Sequence, residues 1–312
     1  MSSVITNFLP IRNGHKVAFA EYGNPAGPSI ISFHGGPGSK SKPSHAERFD
    51  LSKYRVILFD QRGCGQSTPL GKLEHNTTDD LLADAERIRQ HLHIEQWFVA
   101  GSSWGSTLAL LYAIKYPKQV RGLLLSAVFL GDRDSIAWAM SDEKGVARLM
   151  PDLWAKRMEV FARFGISLSN QDAELLQAID RADDQQCQEL VAAVQNWEGN
   201  LFSTQAELEY VSADEITPND IASVRVFLHY EMNHSFIPDN FILDQVKMIE
   251  QLPTVIVHGR YDILCPLEKA YQLAQQLKLA ELVIATSSGH KLTAEGATIL
   301  KLAFDRFLIQ HT

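Results

Sequence analysis

The residues with the clearest chemical potential are Gly101 to Gly105, which read Gly-Ser-Ser-Trp-Gly and match the pattern Gly-x-Ser-x-Gly. An apolar run at residues 97–100 precedes them, and a helical stretch at residues 106–116 follows. Between a strand and a helix, the serine of this pattern sits on a tight, strained turn that exposes its hydroxyl. The flanking glycines let neighbouring backbone approach closely. The pattern therefore predicts that Ser103 is a nucleophile.

A serine nucleophile needs a histidine base and an acid that orients the base. In folds built around such an elbow, the acid and then the histidine follow the serine, each on a loop after a strand. Eleven histidines compete, and position selects His290, between the last predicted strand and the final predicted helix. Asp262 follows the preceding strand and is the predicted acid. Asp60 is the rival acid, but it precedes Ser103, and we expect it to bond within its own loop.

Acyl transfer to Ser103 also needs donors for the oxyanion that forms on the attacked carbonyl. One donor is the backbone N–H of Trp104, the residue after the nucleophile, and the other comes from a loop after an earlier strand. Residues 33–38, Phe-His-Gly-Gly-Pro-Gly, provide that loop. We favour the N–H of Gly36 as the second donor, with Gly35 as the alternative. A simple turn is the competing interpretation.

Short apolar runs without alternation surround these motifs, at residues 29–33, 55–59, 97–100, 122–128, 254–257 and 281–285. Such runs are typical of strands buried on both faces of a parallel sheet. Several alternate with helical stretches, at residues 78–91, 106–116, 267–277 and 294–308. Asn13-Gly14 predicts a hairpin near the start of the chain. Together the elements predict an α/β fold with a mostly parallel, doubly wound sheet.

The strand-like runs disappear between residue 131 and about residue 237, where amphipathic helices are predicted at residues 169–181 and 184–197. We expect this stretch to be an inserted helical cap over the carboxyl edge of the sheet. The expected domains are a first core segment (1–131), the cap (132–237) and a second core segment (238–312), which carries the acid and the histidine. Three cap aromatics either line an apolar pocket or pack the cap: Trp138, Trp154 and Phe161.

Composition excludes several classes of function. The chain has 312 residues, 45% of them hydrophobic, and a net charge of −8, which predicts a soluble protein that binds neither nucleic acid nor an anionic membrane. No apolar run is as long as a membrane span, and residues 1–7 do not resemble a signal peptide. Cys64, Cys187 and Cys265 are far apart and lack metal-ligand spacing, which predicts a reducing, cytoplasmic location. The oligomeric state is not set, and a monomer is compatible with the sequence.

The motifs together resemble the prolyl aminopeptidases (proline iminopeptidases) of the α/β-hydrolase fold. The matching residues are His34-Gly-Gly-Pro-Gly38, Asp60-Gln-Arg-Gly-Cys-Gly-Gln-Ser67, residues 101–110, Trp197-Glu198-Gly199, His258-Gly-Arg-Tyr-Asp262 and Gly289-His290. The resemblance spans most of the chain and is looser in the cap. It implies Ser103, Asp262 and His290 as the catalytic triad. It also implies release of an N-terminal proline from small peptides, without a metal or other cofactor.

The resemblance further implies acidic cap residues that bind the free amino end of the substrate. Glu198 matches one of them, and its carboxylate could hold an ammonium group by a charge-assisted hydrogen bond; a solvated helix glutamate is the alternative. At the second acidic position the family pattern resembles Arg-Ile-Glu-Asn-His-Tyr-Phe, but residues 225–231 read Arg-Val-Phe-Leu-His-Tyr-Glu. Phe227 thus replaces the expected glutamate, and Glu231 lies one helical turn away on the same face. Either Glu231 reaches the same amine, or the site has lost half of its anchor. Tyr230 is a further candidate substrate contact.

These residues predict a serine hydrolase that forms an acyl-enzyme on Ser103. The predicted substrate is a small peptide with an N-terminal proline or another small residue. One alternative is an esterase or amidase of small acyl substrates, which Phe227 favours and Glu198 disfavours. The other is a ligand receptor without catalytic activity, which the complete triad and the oxyanion loop disfavour.

Overall fold

An eight-stranded sheet forms the centre of the structure, a computed structural model that describes residues 6–140, 145–202, 208 and 210–312. The strands are β1 (Thr6–Phe8), β2 (Ala18–Gly23), β3 (Ser29–Phe33), β4 (Arg55–Phe59), β5 (Trp97–Ser103), β6 (Val120–Val128), β7 (Thr254–Gly259) and β8 (Ala280–Ala285). They lie in the order β1-β2-β4-β3-β5-β6-β7-β8. β2 is antiparallel to β1 and β4, and every other pair is parallel. The predicted α/β class, with a mostly parallel, doubly wound sheet, is confirmed.

Asn13 and Gly14 form the tight turn before β2 that their sequence predicts. Asn13 and Gly14 have φ angles of 50° and 74°, the left-handed pair that a tight type I′ hairpin turn requires. Arg12 and His15 form an antiparallel bridge on either side of them. The predicted hairpin is therefore confirmed.

Helices connect the strands and fill the stretch between β6 and β7. In chain order they are α1 (Pro43–Ala46), α2 (Thr78–His91), α3 (Trp104–Lys115), α4 (Arg133–Met140), α5 (Pro151–Arg163), α6 (Gln171–Arg181), α7 (Asp184–Leu201), α8 (Pro218–Met232), α9 (Phe241–Gln245), α10 (Leu267–Gln276) and α11 (Ala294–His311). Short 3₁₀ turns lie at Pro117–Gln119, Val146–Arg148, Leu168–Asn170, Ala213–Glu215, His234–Phe236 and Val246–Ile249. No helix in the described part of the chain is long and apolar enough to cross a membrane.

The sheet is buried on both faces because adjacent residues of each central strand point to opposite sides. Ile31 packs into an apolar cluster that contains residues of α2, α3 and α10, whereas Ile30 packs into a second cluster with residues of α11. Every residue from Trp104 to Ile114 in α3 is buried. A helix that is apolar on all sides belongs in the interior of a large fold, and α3 follows the predicted nucleophile directly.

Between β6 and β7 the described residues form helices and no strand. Helices α5 to α8 surround an apolar cluster of their own, which includes Leu175, Leu190 and Leu228. Ile242 of α9 instead packs into a cluster that contains sheet residues. The limits of the cap, residues 132 and 237, stay a prediction.

Candidate active site

Ser103 lies at the junction of β5 and α3, with a φ of 56° and a ψ of −130°. A non-glycine residue in such a conformation costs about 1–3 kcal/mol, which the surrounding structure must supply. A Cβ atom on Gly101 would lie 2.0 Å from the carbonyl oxygen of Gly105, and one on Gly105 would lie 2.2 Å from that of Phe33. Glycine is therefore required at both positions by the close approach of backbone. The helix begins at Trp104, two residues earlier than predicted, so Ser103 stands directly at its N-terminus.

Ser106 holds the elbow in place from within α3. Its hydroxyl donates to the carbonyl oxygen of Ser103 at 2.7 Å and accepts from the backbone N–H of Phe129 at 3.0 Å. Thr107 donates to the carbonyl oxygen of Phe129 at 2.7 Å. These bonds join the turn to the end of β6 and stabilise the strained backbone of Ser103.

Asp262 and His290 meet at the same edge of the sheet, on the loops after β7 and β8. The Nδ1 atom of His290 donates to Oδ2 of Asp262 at 2.9 Å. The other carboxylate oxygen, Oδ1, accepts from the backbone N–H groups of Leu264 at 3.1 Å and Cys265 at 2.8 Å. The carboxylate is thus oriented by its own loop and fixes the imidazole with Nε2 free for proton transfer.

His258 is a supporting residue to which sequence reasoning gave no role, although it lies in the His-Gly-Arg-Tyr-Asp motif. Its Nδ1 accepts from the backbone N–H of Val128 at 3.0 Å, and its Nε2 donates to the carbonyl oxygen of Cys265 at 2.8 Å. Burial lowers the pKa of His258 below its usual range. The neutral ring therefore fastens the Asp262 loop to β6 without adding a charge.

Phe202, which directly follows α7, holds His290 from the side of the helical segment. The phenyl ring stacks on the imidazole with ring centres 5.2 Å apart. The carbonyl oxygen of Phe202 accepts from the backbone N–H of Lys291 at 2.7 Å. The end of α7 therefore fixes the plane of the His290 ring.

Ser103 and His290 line the same cavity. The described residues show no hydrogen bond between the Ser103 hydroxyl and the imidazole, whose Nδ1 is bonded to Asp262. Such bonds are often long without substrate and tighten when it binds. The structure thus brings all three predicted triad residues to one site and joins two of them directly.

Asp262, Cys265 and His290 are also the residues that could hold a metal ion, since their ligand atoms lie within 4.8 Å of one another. A cysteine binds a metal as the thiolate. Burial raises the pKa of the Cys265 thiol well above its usual range. Because the carboxylate is already bonded to the imidazole, this donor set is better suited to holding a proton than a metal.

The loop after β3 brings the two candidate glycines close to the elbow. A Cβ atom on Gly35 would lie 3.6 Å from Cβ of Ser103, whereas one on Gly36 would meet the amide nitrogens of Gly38 and Ser39 at 2.7 and 2.8 Å. The backbone of Gly35 is therefore the part of the loop that lies against the serine, which supports the alternative second donor.

Gln61 joins this loop to the elbow, a role that sequence reasoning missed. Its Nε2 donates to the carbonyl oxygen of His34 at 2.9 Å, and its Oε1 accepts from the indole Nε1 of Trp104 at 3.0 Å. The backbone N–H of Gln61 donates to Nε2 of His34 at 3.1 Å. The buried side chain of Gln61 thus fixes the loop after β3 relative to Trp104, the two parts of the predicted oxyanion site.

Asp60, the rival acid, is bonded to backbone. Its Oδ2 accepts from the N–H of Gln66 at 2.8 Å, within its own loop as expected, and its Oδ1 accepts from the N–H of Ser41 at 2.7 Å in the loop after β3. Both oxygens are occupied by loop backbone, so Asp60 organises the loops around the site.

The cavity has a volume of about 590 Å³ and is lined by Ser103, His290, Glu198, Phe227 and Glu231. Tyr230 is not among the residues that line it. Tyr230 is fully buried, its hydroxyl donates to Oδ1 of Asn76 at 3.0 Å, and its ring packs on Trp104 at 5.2 Å. Because its hydroxyl is bonded to Asn76 and its ring packs on Trp104, Tyr230 supports the elbow rather than contacting the substrate.

The three cap aromatics likewise pack rather than line the cavity. The indole of Trp138 donates to the carbonyl oxygen of Ile263 at 2.7 Å. Trp154 packs on Trp197 with ring centres 5.0 Å apart, and Phe161 is 1% exposed in the apolar cluster of α5 to α8.

Glu198 on α7 and Glu231 on α8 bring two carboxyls into the cavity. Burial, opposed by Arg157 and aided by Asp172, raises the pKa of Glu198 to about 7. Burial raises the pKa of Glu231 to about 8, with added repulsion from Asp172 and Glu198. Neither carboxyl makes a hydrogen bond or ion pair within the described residues, so both are free to bind a cation.

Arg157 on α5 is the cation that opposes this negative charge, and the sequence offered no signal for it. Its side chain is 3% exposed and lies over the rings of Trp154 and Phe161, at 5.0 and 4.7 Å. Burial lowers the pKa of Arg157 to about 10, while Glu198 and Asp172 counteract this effect. A fixed cation near Glu198 favours the charged form of that carboxyl.

Comparison with known proteins places these residues in a family context. A family model for the alpha/beta hydrolase fold matches residues 28–297. The chain is 38% identical to the proline iminopeptidase of Arabidopsis thaliana, over 92% of this chain and 75% of that one. It is 36% identical to the proline iminopeptidase of Xanthomonas citri, over 96% of this chain and 95% of that one. For the enzyme of Neisseria gonorrhoeae, the identity is 35% over 91% of this chain and 90% of that one.

Solved structures share the fold at lower identity. An alpha/beta fold family hydrolase from Bacillus anthracis str. Sterne superposes with a TM-score of 0.63 at 19% identity, over 99% of both chains. A proline iminopeptidase-related protein from Thermus thermophilus superposes with a TM-score of 0.63 at 18% identity, over 99% of this chain and 98% of that one. At these identities the structures support the fold.

Proposed function

Because the chain belongs to the proline iminopeptidase family of α/β hydrolases, we propose that it releases an N-terminal proline, or another small residue, from short peptides through an acyl-enzyme on Ser103. A hydrolase of the prolyl aminopeptidase type follows from family membership. The substrate preference and the covalent step are supported by the residues of the site.

In the first step Ser103 Oγ attacks the carbonyl carbon of the N-terminal residue, and His290 Nε2 takes the hydroxyl proton. Asp262, bonded to Nδ1 at 2.9 Å, holds the tautomer and stabilises the imidazolium. The oxyanion accepts hydrogen bonds from the N–H of Trp104 and from the N–H of Gly36, or of Gly35, whose close approach to Ser103 supports it.

The intermediate then breaks down by expulsion of the leaving amine, which receives the proton from His290. Water then attacks the acyl-enzyme while His290 takes a proton from it. The second tetrahedral intermediate expels Ser103 Oγ, which receives that proton from His290, and the amino acid is released. Each proton transfer uses His290, and the Ser103 hydroxyl ends the cycle with its proton restored.

The observation that carries the proposal is the pair of unpaired carboxyls, Glu198 and Glu231, in the cavity of Ser103. Arg157 offsets only part of the negative charge of these two acids, which is unfavourable for the fold, and an N-terminal ammonium group supplies further positive charge. Glu231 enters from one helical turn beyond Phe227, which stands at the position of the family's expected glutamate. We propose that Glu231 replaces that glutamate as the second anchor.

An esterase or amidase acting on small acyl substrates is the second candidate. Phe227 supports it, because an apolar ring takes the place of one expected carboxylate and lines the cavity. The two candidates differ in one requirement, since only the aminopeptidase needs a free amine on its substrate.

Three chromogenic substrates separate the candidates: a free prolyl arylamide, its N-blocked form and a short-chain ester. We expect cleavage of the free arylamide and a roughly 10- to 100-fold lower kcat/KM for the blocked form, which lacks the ammonium group. The Ser103→Ala variant should be inactive, whereas Ser102→Ala, a neighbouring control in the same turn, should retain activity. Ester cleavage with no preference for the free amine would favour the esterase, and no reaction with any substrate would favour the receptor.

A further inference from the structure

Arg48 is a cation in the lining that the candidate active site shares with a second cavity. It lies two residues after α1 and lines the cavity that contains Ser103. A second cavity, of about 600 Å³, adjoins the first, and Arg48 and His290 line both. Arg48 and His290 therefore both belong to the part of the lining that the two cavities share.

The guanidinium of Arg48 has no counter-ion within the described part of the chain: it makes no ion pair and no hydrogen bond there. Burial lowers its pKa, and no acid counteracts this effect. Glu47 and Asp305 also line the second cavity, but neither pairs with Arg48, and Asp305 bonds Lys301 at 3.4 Å. A desolvated cation without a partner is costly, so an anionic ligand would stabilise this arrangement.

The first cavity holds basic side chains on the side of Arg48. Burial, together with the neighbouring cations Arg48 and Lys42, lowers the pKa of His45 to about 4, so this ring is uncharged at neutral pH. Lys42 and His45 line the first cavity as well. Glu198 and Glu231 line the first cavity but not the second. The first cavity is thus acidic on the side of α7 and α8 and basic where it meets the second.

We propose that Arg48 binds the free α-carboxylate of the leaving residue, which makes dipeptides with an N-terminal proline the preferred substrates. The inference rests on the proposed function and adds a second point of recognition to it. In a dipeptide the carboxylate carbon is three bonds from the scissile carbonyl carbon. Glu198 and Glu231 line only the first cavity, whereas Arg48 lies where the two cavities meet. A substrate whose ammonium group is held by the two glutamates would therefore direct this carboxylate toward Arg48.

Arginine suits this role because its planar fork donates two parallel hydrogen bonds to a carboxylate. An amide at the same position carries no charge and would leave Arg48 unpaired. A longer peptide would likewise present an uncharged amide at Arg48 and continue into the second cavity. The proposal therefore predicts discrimination by charge at the leaving residue.

The test compares prolyl-glycine with prolyl-glycinamide, measuring released proline by chromatography. For the wild type we expect kcat/KM to be about 10- to 100-fold higher for the acid than for the amide. Arg48→Met should reduce this ratio to near one, and Arg48→Lys should give an intermediate ratio because it keeps the charge without the fork. Lys301→Met, which removes a paired cation from the second cavity, should leave the ratio unchanged.

Free prolyl arylamide has no carboxylate, so its turnover reports folding and catalysis in each variant. Retained arylamide turnover with a lost acid preference would support the proposal. A wild-type ratio near one would overturn it without any variant, as would an equal loss of acid and amide turnover in Arg48→Met. If the wild type cleaves neither the arylamide nor the dipeptide, the proposed function fails and this inference fails with it.

Discussion

The carboxyl of Glu231 should be needed for substrate recognition and unfavourable for stability, and Glu231→Gln separates the two effects. The substitution keeps the size of the side chain and removes its titration. Glu231 is 8% exposed and has no bonding partner among the described residues. Its ionised form is therefore stabilised only when a substrate ammonium group is present.

The effect on stability depends on pH with a definite sign. Burial, with repulsion from Asp172 and Glu198, raises the pKa of Glu231 from 4.5 to about 8. Between these values the folded protein keeps a proton that the unfolded chain loses, so the free energy of unfolding falls as pH rises. The shift corresponds to about 3–5 kcal/mol. The free energy of unfolding of Glu231→Gln does not fall in this way. Relative to the wild type, the variant should therefore become more stable as the pH rises from 5 to 9.

Chemical denaturation at pH 5 and pH 9 measures this difference. Glu268→Gln, at an exposed position on α10, is the matched control and should follow the wild type at both values. The pH dependence of the difference is the informative quantity, because a buried amide has its own cost at every pH. If the free energy of unfolding depends on pH identically in the wild type and in Glu231→Gln, the carboxyl of Glu231 is not buried without a compensating charge, and the reasoning is refuted.

The kinetic effect of the same variant should be restricted to substrates with a free amine. Loss of one charge-assisted hydrogen bond predicts a roughly 10- to 100-fold lower kcat/KM for free prolyl arylamide. Turnover of any short-chain ester that the wild type cleaves should stay the same. An equal loss on both substrates would refute the role of Glu231 in binding the ammonium group.

Three further predictions concern the elements that hold the site. Arg62→Met should lower the free energy of unfolding by about 3–5 kcal/mol in urea. It breaks the buried ion pairs of Arg62 with Asp84 at 2.6 Å and Asp80 at 2.9 Å, and Arg87 remains as a partner of Asp84 alone. A loss below about 1 kcal/mol would contradict this. Gly101→Ala should abolish soluble expression or arylamide turnover, since its Cβ would lie 2.0 Å from the carbonyl oxygen of Gly105, and wild-type turnover would show that the elbow can relax. Cys265, 5% exposed and with its pKa raised by burial, should react with iodoacetamide far more slowly in the native protein than in urea, as measured by mass spectrometry; equal rates would contradict its burial.

The sheet and the elbow could be predicted because their signals are local. Runs such as residues 29–33 are apolar on both faces, and the glycines around Ser103 mark a turn that tolerates close backbone. The roles of Asp262 and His290 could be predicted for a related reason. Parallel strands end at one edge of the sheet, so loops distant in sequence meet there.

The supporting residues could not be predicted, because their roles depend on packing between distant segments. Gln61 bonds both His34 and Trp104, and Arg157 affects the pKa of Glu198 only when α5 and α7 pack together. Tyr230 shows the same limit, since helical period alone does not say which face of α8 meets the cavity. The bonds of Asp60 were predicted in part, because its second partner, Ser41, comes from another loop.

The most direct test of the central claim is labelling with a fluorophosphonate, which reacts with activated serines, followed by peptide mapping by mass spectrometry. We predict one label per chain on Ser103, no label in Ser103→Ala, and no label after heat denaturation of the wild type. A label on another serine, or no label on the native protein, would contradict the assignment of Ser103 as the nucleophile.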